Sequence, residues 1–118
     1  MAGRSSAWMR VIATPHRTTE FLNRLEAFCR EHNIICVVNE NNMYWKFGGH
    51  QETFVILGEL PVWTRAQWTE AFGIWFDGQM PQIHDSTENV EFCYYAPYGD
   101  MNAYFVVCGV PKAFIKPE

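Results

Sequence analysis

Phe21, Leu22, Leu25, Phe28, Cys29 and His32 recur at the 3.6-residue spacing of one helical face, and short apolar runs flank them on both sides. A helix with one apolar stripe has to lay that stripe on another layer, and here the flanking runs supply it: the helix covers a sheet. Thr18 or Thr19 is placed to cap it, with Glu20 in the first turn. Its solvent side carries Glu20–Arg24 and Glu26–Arg30, both in the favourable i,i+4 order.

The rest of the chain alternates between the two periods. Trp8–Ala13 reads as a first strand, stopped by Thr14-Pro15. Ile34–Val38 reads as a short buried strand, residues 39–42 (Asn-Glu-Asn-Asn) as a turn, and Met43–Phe47 as a half-buried partner strand. Gly48-Gly49 breaks the pattern and Thr53–Leu57 resumes it. A capping box, Thr64 with Gln67 three residues on, opens a second helix. Trp63 and Trp68 are spaced as a hydrophobic staple, and Trp68, Ala71, Phe72, Trp75 and Phe76 form the stripe, ended by Asp77-Gly78. Gln79–Asn89 reads as a long polar loop. Val90–Tyr95 and Ala103–Cys108 then read as strands joined by a turn at Pro97-Tyr98-Gly99-Asp100.

The order is β-α-β-β-β-α-β-β in a single domain over residues 1–118, with residues 1–6 as a disordered tail. Its simplest packing is an α+β sandwich: a mainly antiparallel sheet with two helices on one face, of the ferredoxin-like kind. At 118 residues such a chain has a radius of gyration of ~13–14 Å and enough core to need no metal or disulfide. The sheet's second face, if aromatic, needs cover from a partner, a ligand or another copy, so a homo-oligomer is expected.

Composition narrows the function classes. The net charge is −4, and the chain carries only 19% charged residues with nine Phe, five Trp and five Tyr. Direct nucleic-acid binding calls for a basic surplus that is missing here. The core order resembles the RNA-recognition fold and Met43–Phe47 offers stackable rings, yet the basic-Gly-aromatic strand signature is poorly matched. No run approaches the ~20 apolar residues of a membrane span, and no export signal is visible. Cys29, Cys36, Cys93 and Cys108 form no CxxC pair and lie in apolar segments, which fits buried, reduced thiols in a cytoplasmic protein.

Catalytic motifs are absent: no phosphate-binding loop, dinucleotide fingerprint, zinc-ligand spacing or nucleophile elbow occurs, so no cofactor or metal is implied. His50–Glu52 is a His-x-Glu without the downstream Pro-Cys-x-x-Cys of a deaminase, and His50, after two glycines, reads as a solvated loop residue. His16 reads as solvated and His32 as a helix-end residue suited to the dipole. His84-Asp85 in the long loop is the best general-base candidate, and Glu59 and Glu91 flank apolar strands.

Charge and aromatic content coincide in one half of the chain. No Lys or Arg lies between Arg65 and Lys112, while Glu70, Asp77, Asp85, Glu88, Glu91 and Asp100 give that span −6 and ten of the nineteen aromatics fall in it. Consecutive Tyr94 and Tyr95 point to opposite sides of their strand, and Tyr98 sits in a turn. Asp85, Glu88, Glu91, Tyr95, Tyr98 and Asp100 are therefore the expected contact residues of a non-enzymatic interaction protein, a regulator or inhibitor that binds a basic protein surface. Small proteins of this type are carried by phages and mobile elements. The alternative is a small-molecule site or small enzyme near residues 79–89 or at a subunit interface, with His84, Asp85, Glu91 and Tyr98 as its working groups.

Overall fold

Pro15 sits where a helix tolerates a missing N–H, and the chain uses it to start the first helix earlier than the threonine caps implied. The computed structural model describes residues 6–44, 49–75, 78–95 and 105–118. In it β1 (Ala7–Ala13) leads into α1 (Pro15–Glu31), capped by Thr14, whose hydroxyl accepts from the Arg17 N–H. Glu20 engages Arg17 at 2.8 Å and His16 at 3.0 Å. Phe21, Leu25, Phe28 and Cys29 are buried, as the stripe requires, and His32 is the C-cap.

After α1 come β2 (Ile35–Tyr44), β3 (Gln51–Gly58), β4 (Trp63–Thr64) and α2 (Arg65–Trp75). The turn expected at residues 39–42 is instead continuous strand: Asn39, Glu40 and Asn41 pair with Phe54, Thr53 and Glu52, with a register shift before Tyr44. Cross-strand pairing and one bulge override the local turn preference of the asparagines. The capping box forms with both bonds in place, Gln67 N–H to Thr64 Oγ1 at 3.1 Å and Thr64 N–H to Gln67 Oε1 at 2.9 Å. The Trp63 and Trp68 rings meet at 4.8 Å. Beyond α2, Gly78 takes φ 78° and donates to the Gly73 carbonyl at 2.7 Å.

The last part holds β5 (Gln82–Asp85), β6 (Asn89–Tyr95), β7 (Phe105–Pro111), a 3-10 turn at Lys112–Phe114 and β8 (Ile115–Lys116). Gln82–Asp85 belongs to no loop: the segment pairs with β6, its Ile83 opposite Phe92. β8 runs parallel to β4.

Six strands form one antiparallel sheet in the order β2-β3-β1-β7-β6-β5, so the fold is α+β with two helices. That order differs from the ferredoxin-like arrangement, because the β5–β6 hairpin stands between α2 and the strand that joins β1 and widens the sheet by two strands. The core lies between the helices and one sheet face. Met9, Val11, Val55, Leu57, Phe92, Val106 and Cys108 meet Leu25, Phe28, Trp68, Phe72 and Trp75 there. Phe72 stacks on Phe92 at 4.6 Å and meets Trp75 edge-on at 4.6 Å, contacts that add about 0.5–1.5 kcal/mol each beyond area burial. The radius of gyration is 13.9 Å.

Candidate functional site

Opposite the helices, the same strands present a second face, and its residues follow directly from the register. One row runs Val37, Ile56, Trp8, Gly109, Glu91, His84, and the next runs Asn39, Phe54, Arg10, Val107, Cys93, Gln82. A third carries Glu52, Ile12, Phe105 and Tyr95. Ten large apolar residues are exposed among the described residues, and seven of them stand on this face: Trp8, Ile35, Val37, Phe54, Ile56, Tyr95 and Phe105. Ile35 is 53% exposed and Tyr95 50%, values that belong to surface rather than core. With strands ~4.8 Å apart, the apolar band from β2 to β6 is about 19 Å wide.

Charge on this face is sparse and largely self-satisfied. Arg10 Nε donates to the buried Glu52 carboxylate at 2.6 Å. Half-buried Glu91 stands opposite exposed His84. Tyr95 packs against Phe105 at 5.9 Å, and a hydrogen bond to the Cys93 sulfur holds its phenol above the usual range. Burial pushes the Cys93 thiol up, partly offset by that bond.

The expected contact residues separate in space. Glu91, His84 and Tyr95 share the open face, whereas Asp85 turns towards the helices and pairs with Arg65 at 3.0 and 3.1 Å. That guanidinium holds the Asp85 carboxyl below its ordinary value. His84 and Asp85, adjacent in sequence, thus point to opposite sides of β5 and do not act as a base pair. Glu88 is exposed in the β5–β6 turn, and its carbonyl accepts from the Lys112 N–H at 2.9 Å. Tyr98 and Asp100, with Asp77 and the rings at 45, 47, 76 and 104, lie outside the described residues. Tyr94 is buried and donates to Gln79 at 2.8 Å, so the two tyrosines do part as their alternation implied.

Of two further histidines, one departs from its expected place and the other keeps the helix end expected of it. His50 is buried rather than solvated, because it directly precedes the β3 residue that pairs with both Ala13 and Tyr44. The His32 ring lies tilted against Phe28 at 4.2 Å with Trp63 edge-on at 5.3 Å. These rings, with Gln67, Glu70 and Ile74, line a groove of about 360 Å³ between α1 and α2. A second hollow of about 350 Å³ adjoins it, and neither is lined by His84, Asp85 or Glu91. Glu59 is exposed at φ 55° in the turn after β3.

Attention to the second half of the sequence alone misses Trp8, Ile35, Val37, Phe54 and Ile56. The signal was present: residues 53–57 (Thr-Phe-Val-Ile-Leu) are apolar on both faces of the strand, as in a sheet covered twice. Among the described residues no group of three or more His, Cys, Asp or Glu is placed to hold a metal ion, and no helix is long and apolar enough to cross a membrane. Comparison with protein-family models, curated proteins and solved structures finds no match.

Proposed function

We propose that this chain is a non-enzymatic, cytoplasmic protein-interaction module, a regulator or inhibitor that docks through the open face of its sheet. The observation that carries this reading is the concentration of exposed apolar side chains on that one face, seven of the ten among the described residues. Patches of this kind on otherwise polar surfaces mark interaction sites, and Trp and Tyr are enriched at their energetic centres. Glu91 on the face and Glu88 beside it favour a partner whose apolar surface has a basic rim at the β6 end. The Arg10–Glu52 pair satisfies itself, so covering it adds no unpaired charge. The same face is where copies of the chain would associate. We read strands β2-β3-β1-β7 as a ferredoxin-like core to which the β5–β6 hairpin adds docking area.

The test compares Val37→Asp and Ile56→Asp with Ile74→Asp, an exposed control on α2. Sedimentation measures self-association, and capture from a host extract followed by mass spectrometry measures partner retention. The two open-face variants lose association while the control keeps it. Equal association by all three, with folding verified by circular dichroism, rejects the open face as the docking site.

A further inference from the structure

Two of the four thiols face each other across the helix–sheet boundary. Cys29 lies in the last turn of α1 and is 1% exposed, on the stripe that faces the sheet. The chain then reverses through Asn33, at φ 58°, and the Ile34 N–H donates to the Cys29 carbonyl at 2.8 Å. β2 therefore starts beside Cys29 and runs back along the helix. Helical Cβ atoms lean towards the helix N-terminus, so the Cys29 side chain leans the way β2 travels. Cys36, opposite buried Leu57, faces the helix layer and packs against the core. The two side chains are hydrogen-bonded to each other across that boundary.

That bond makes the pair unequal. It holds Cys36 below the ordinary thiol range, against burial and the nearby Glu26 carboxylate. Cys29 is held well above that range, by the same bond first and by burial second. Cys36 is the half-buried member and sits on β2, an edge strand of the sheet, so a small oxidant reaches it first. Cys93 and Cys108 offer no second pair: they lie on neighbouring strands, but Cys108 points into the core while Cys93 points to the open face.

We propose that Cys29 and Cys36 form a redox-active dithiol, which a peroxide converts to an intramolecular disulfide joining the last turn of α1 to β2. In the first step the Cys36 thiolate attacks one peroxide oxygen. The O–O bond breaks, an S–O bond forms, and the departing hydroxide takes up the proton that Cys36 released, giving water and a sulfenic acid. In the second step the Cys29 sulfur attacks the Cys36 sulfur. The S–S bond forms, the S–O bond breaks, and the hydroxyl leaves with the Cys29 proton as a second water. Two thiols lose two hydrogens, and the peroxide is reduced to two waters.

The experiment treats the folded full chain with hydrogen peroxide, blocks remaining thiols by alkylation and digests with trypsin. Cys29 and Cys36 fall in different tryptic peptides, residues 25–30 and 31–46, because Arg30 lies between them. The expected result is one linked pair of these peptides, two alkylated thiols left at Cys93 and Cys108, and reversal by dithiothreitol. Cys29→Ser stops at an oxidised Cys36 that a dimedone-type probe traps, and Cys36→Ser leaves Cys29 reduced. A Cys93→Ser/Cys108→Ser variant still closes the link. Four alkylated thiols after oxidation, a bond from either residue to Cys108, or faster oxidation of Cys29 in the Cys36→Ser variant each overturns the proposal. Near-ultraviolet circular dichroism before and after treatment confirms that the reacting chain is folded.

Discussion

The indole of Trp8 lies across the backbone of Gly109, so close that a methyl group there would sit 2.5 Å from Trp8 Nε1 and 2.6 Å from Cε2. The two residues are register partners on neighbouring strands β1 and β7, and the missing side chain at Gly109 is the space that the ring fills. This contact seats the ring in the middle of the open face, although Trp8 is still 39% exposed.

Gly109→Ala therefore lifts the indole off the strand into solvent. The cost is on the order of 1–2 kcal/mol, from lost apolar contact partly offset by alanine's lower backbone entropy. The fluorescence difference between this variant and its Trp8→Phe counterpart reports Trp8 alone, and its maximum moves to longer wavelength. An unchanged maximum together with unchanged association means that the ring's seat on Gly109 contributes nothing to the face.

The start of α2 supplies a second expectation. Thr64 Oγ1 accepts from the Gln67 N–H, and the Glu118 side chain accepts from the Ala66 N–H at 3.0 Å, so two otherwise orphaned donors of the first turn are met. Thr64→Ala removes one of these bonds and costs about 1 kcal/mol in urea unfolding. Because the Thr64 hydroxyl also donates to Gln67 Oε1 at 3.2 Å, a bond that either substitution alone removes, the Thr64→Ala/Gln67→Ala double variant costs less than the two single losses added together. Strict additivity would show that the box is not a reciprocal unit.

Legibility in the sequence followed the strength of local signals. The α1 stripe, the capping box and the opposite facing of Tyr94 and Tyr95 were readable because each depends on residues within one or two turns. What local pattern does not convey depends on partners far along the chain. Residues 39–42 carry turn chemistry, yet β3 pairs with them through Thr53 and Phe54. Gln82–Asp85 is too short and polar to announce a strand, and only β6 makes it one. The candidate site was half legible. Glu91 and Tyr95 were found through composition, but Ile35, Val37 and Phe54 join them only once the strand order is known.

Acid titration gives a sharp test of the Arg65–Asp85 pair. The guanidinium lowers the Asp85 pKa in the folded chain below its ordinary 3.8, with Lys112 helping from farther away. In that range the folded chain binds fewer protons than the unfolded one, so the contribution is full above the unfolded value and disappears as pH falls through the folded value. Melting temperatures of wild type and Asp85→Asn accordingly differ by a constant amount from neutral pH down to about pH 5, and converge below the normal aspartate range. Added salt shrinks the gap, since both side chains are exposed. A gap that persists undiminished at pH 2 would assign it to something other than this charge pair.

The two fully buried tryptophans of α2 are not equivalent. Trp68 Nε1 donates to the Phe114 carbonyl at 3.0 Å and thereby ties the C-terminal segment to the helix. Trp75 Nε1 has no hydrogen-bond acceptor among the described residues; its ring is held by Phe28 at 5.0 Å and Phe72 at 4.6 Å. Replacing either by Phe removes similar volume, but only at Trp68 does it also leave a carbonyl without its donor. Trp68→Phe should therefore be the more destabilising by about 1 kcal/mol, the net worth of one buried hydrogen bond. It should also quicken amide exchange at β8, because Phe114 immediately precedes the short pair that Ile115 and Lys116 make with β4. Trp75→Phe leaves β8 exchange as it was. Equal destabilisation by the two substitutions would mean that ring packing alone, and not the Trp68 bond, holds the end of the chain against α2.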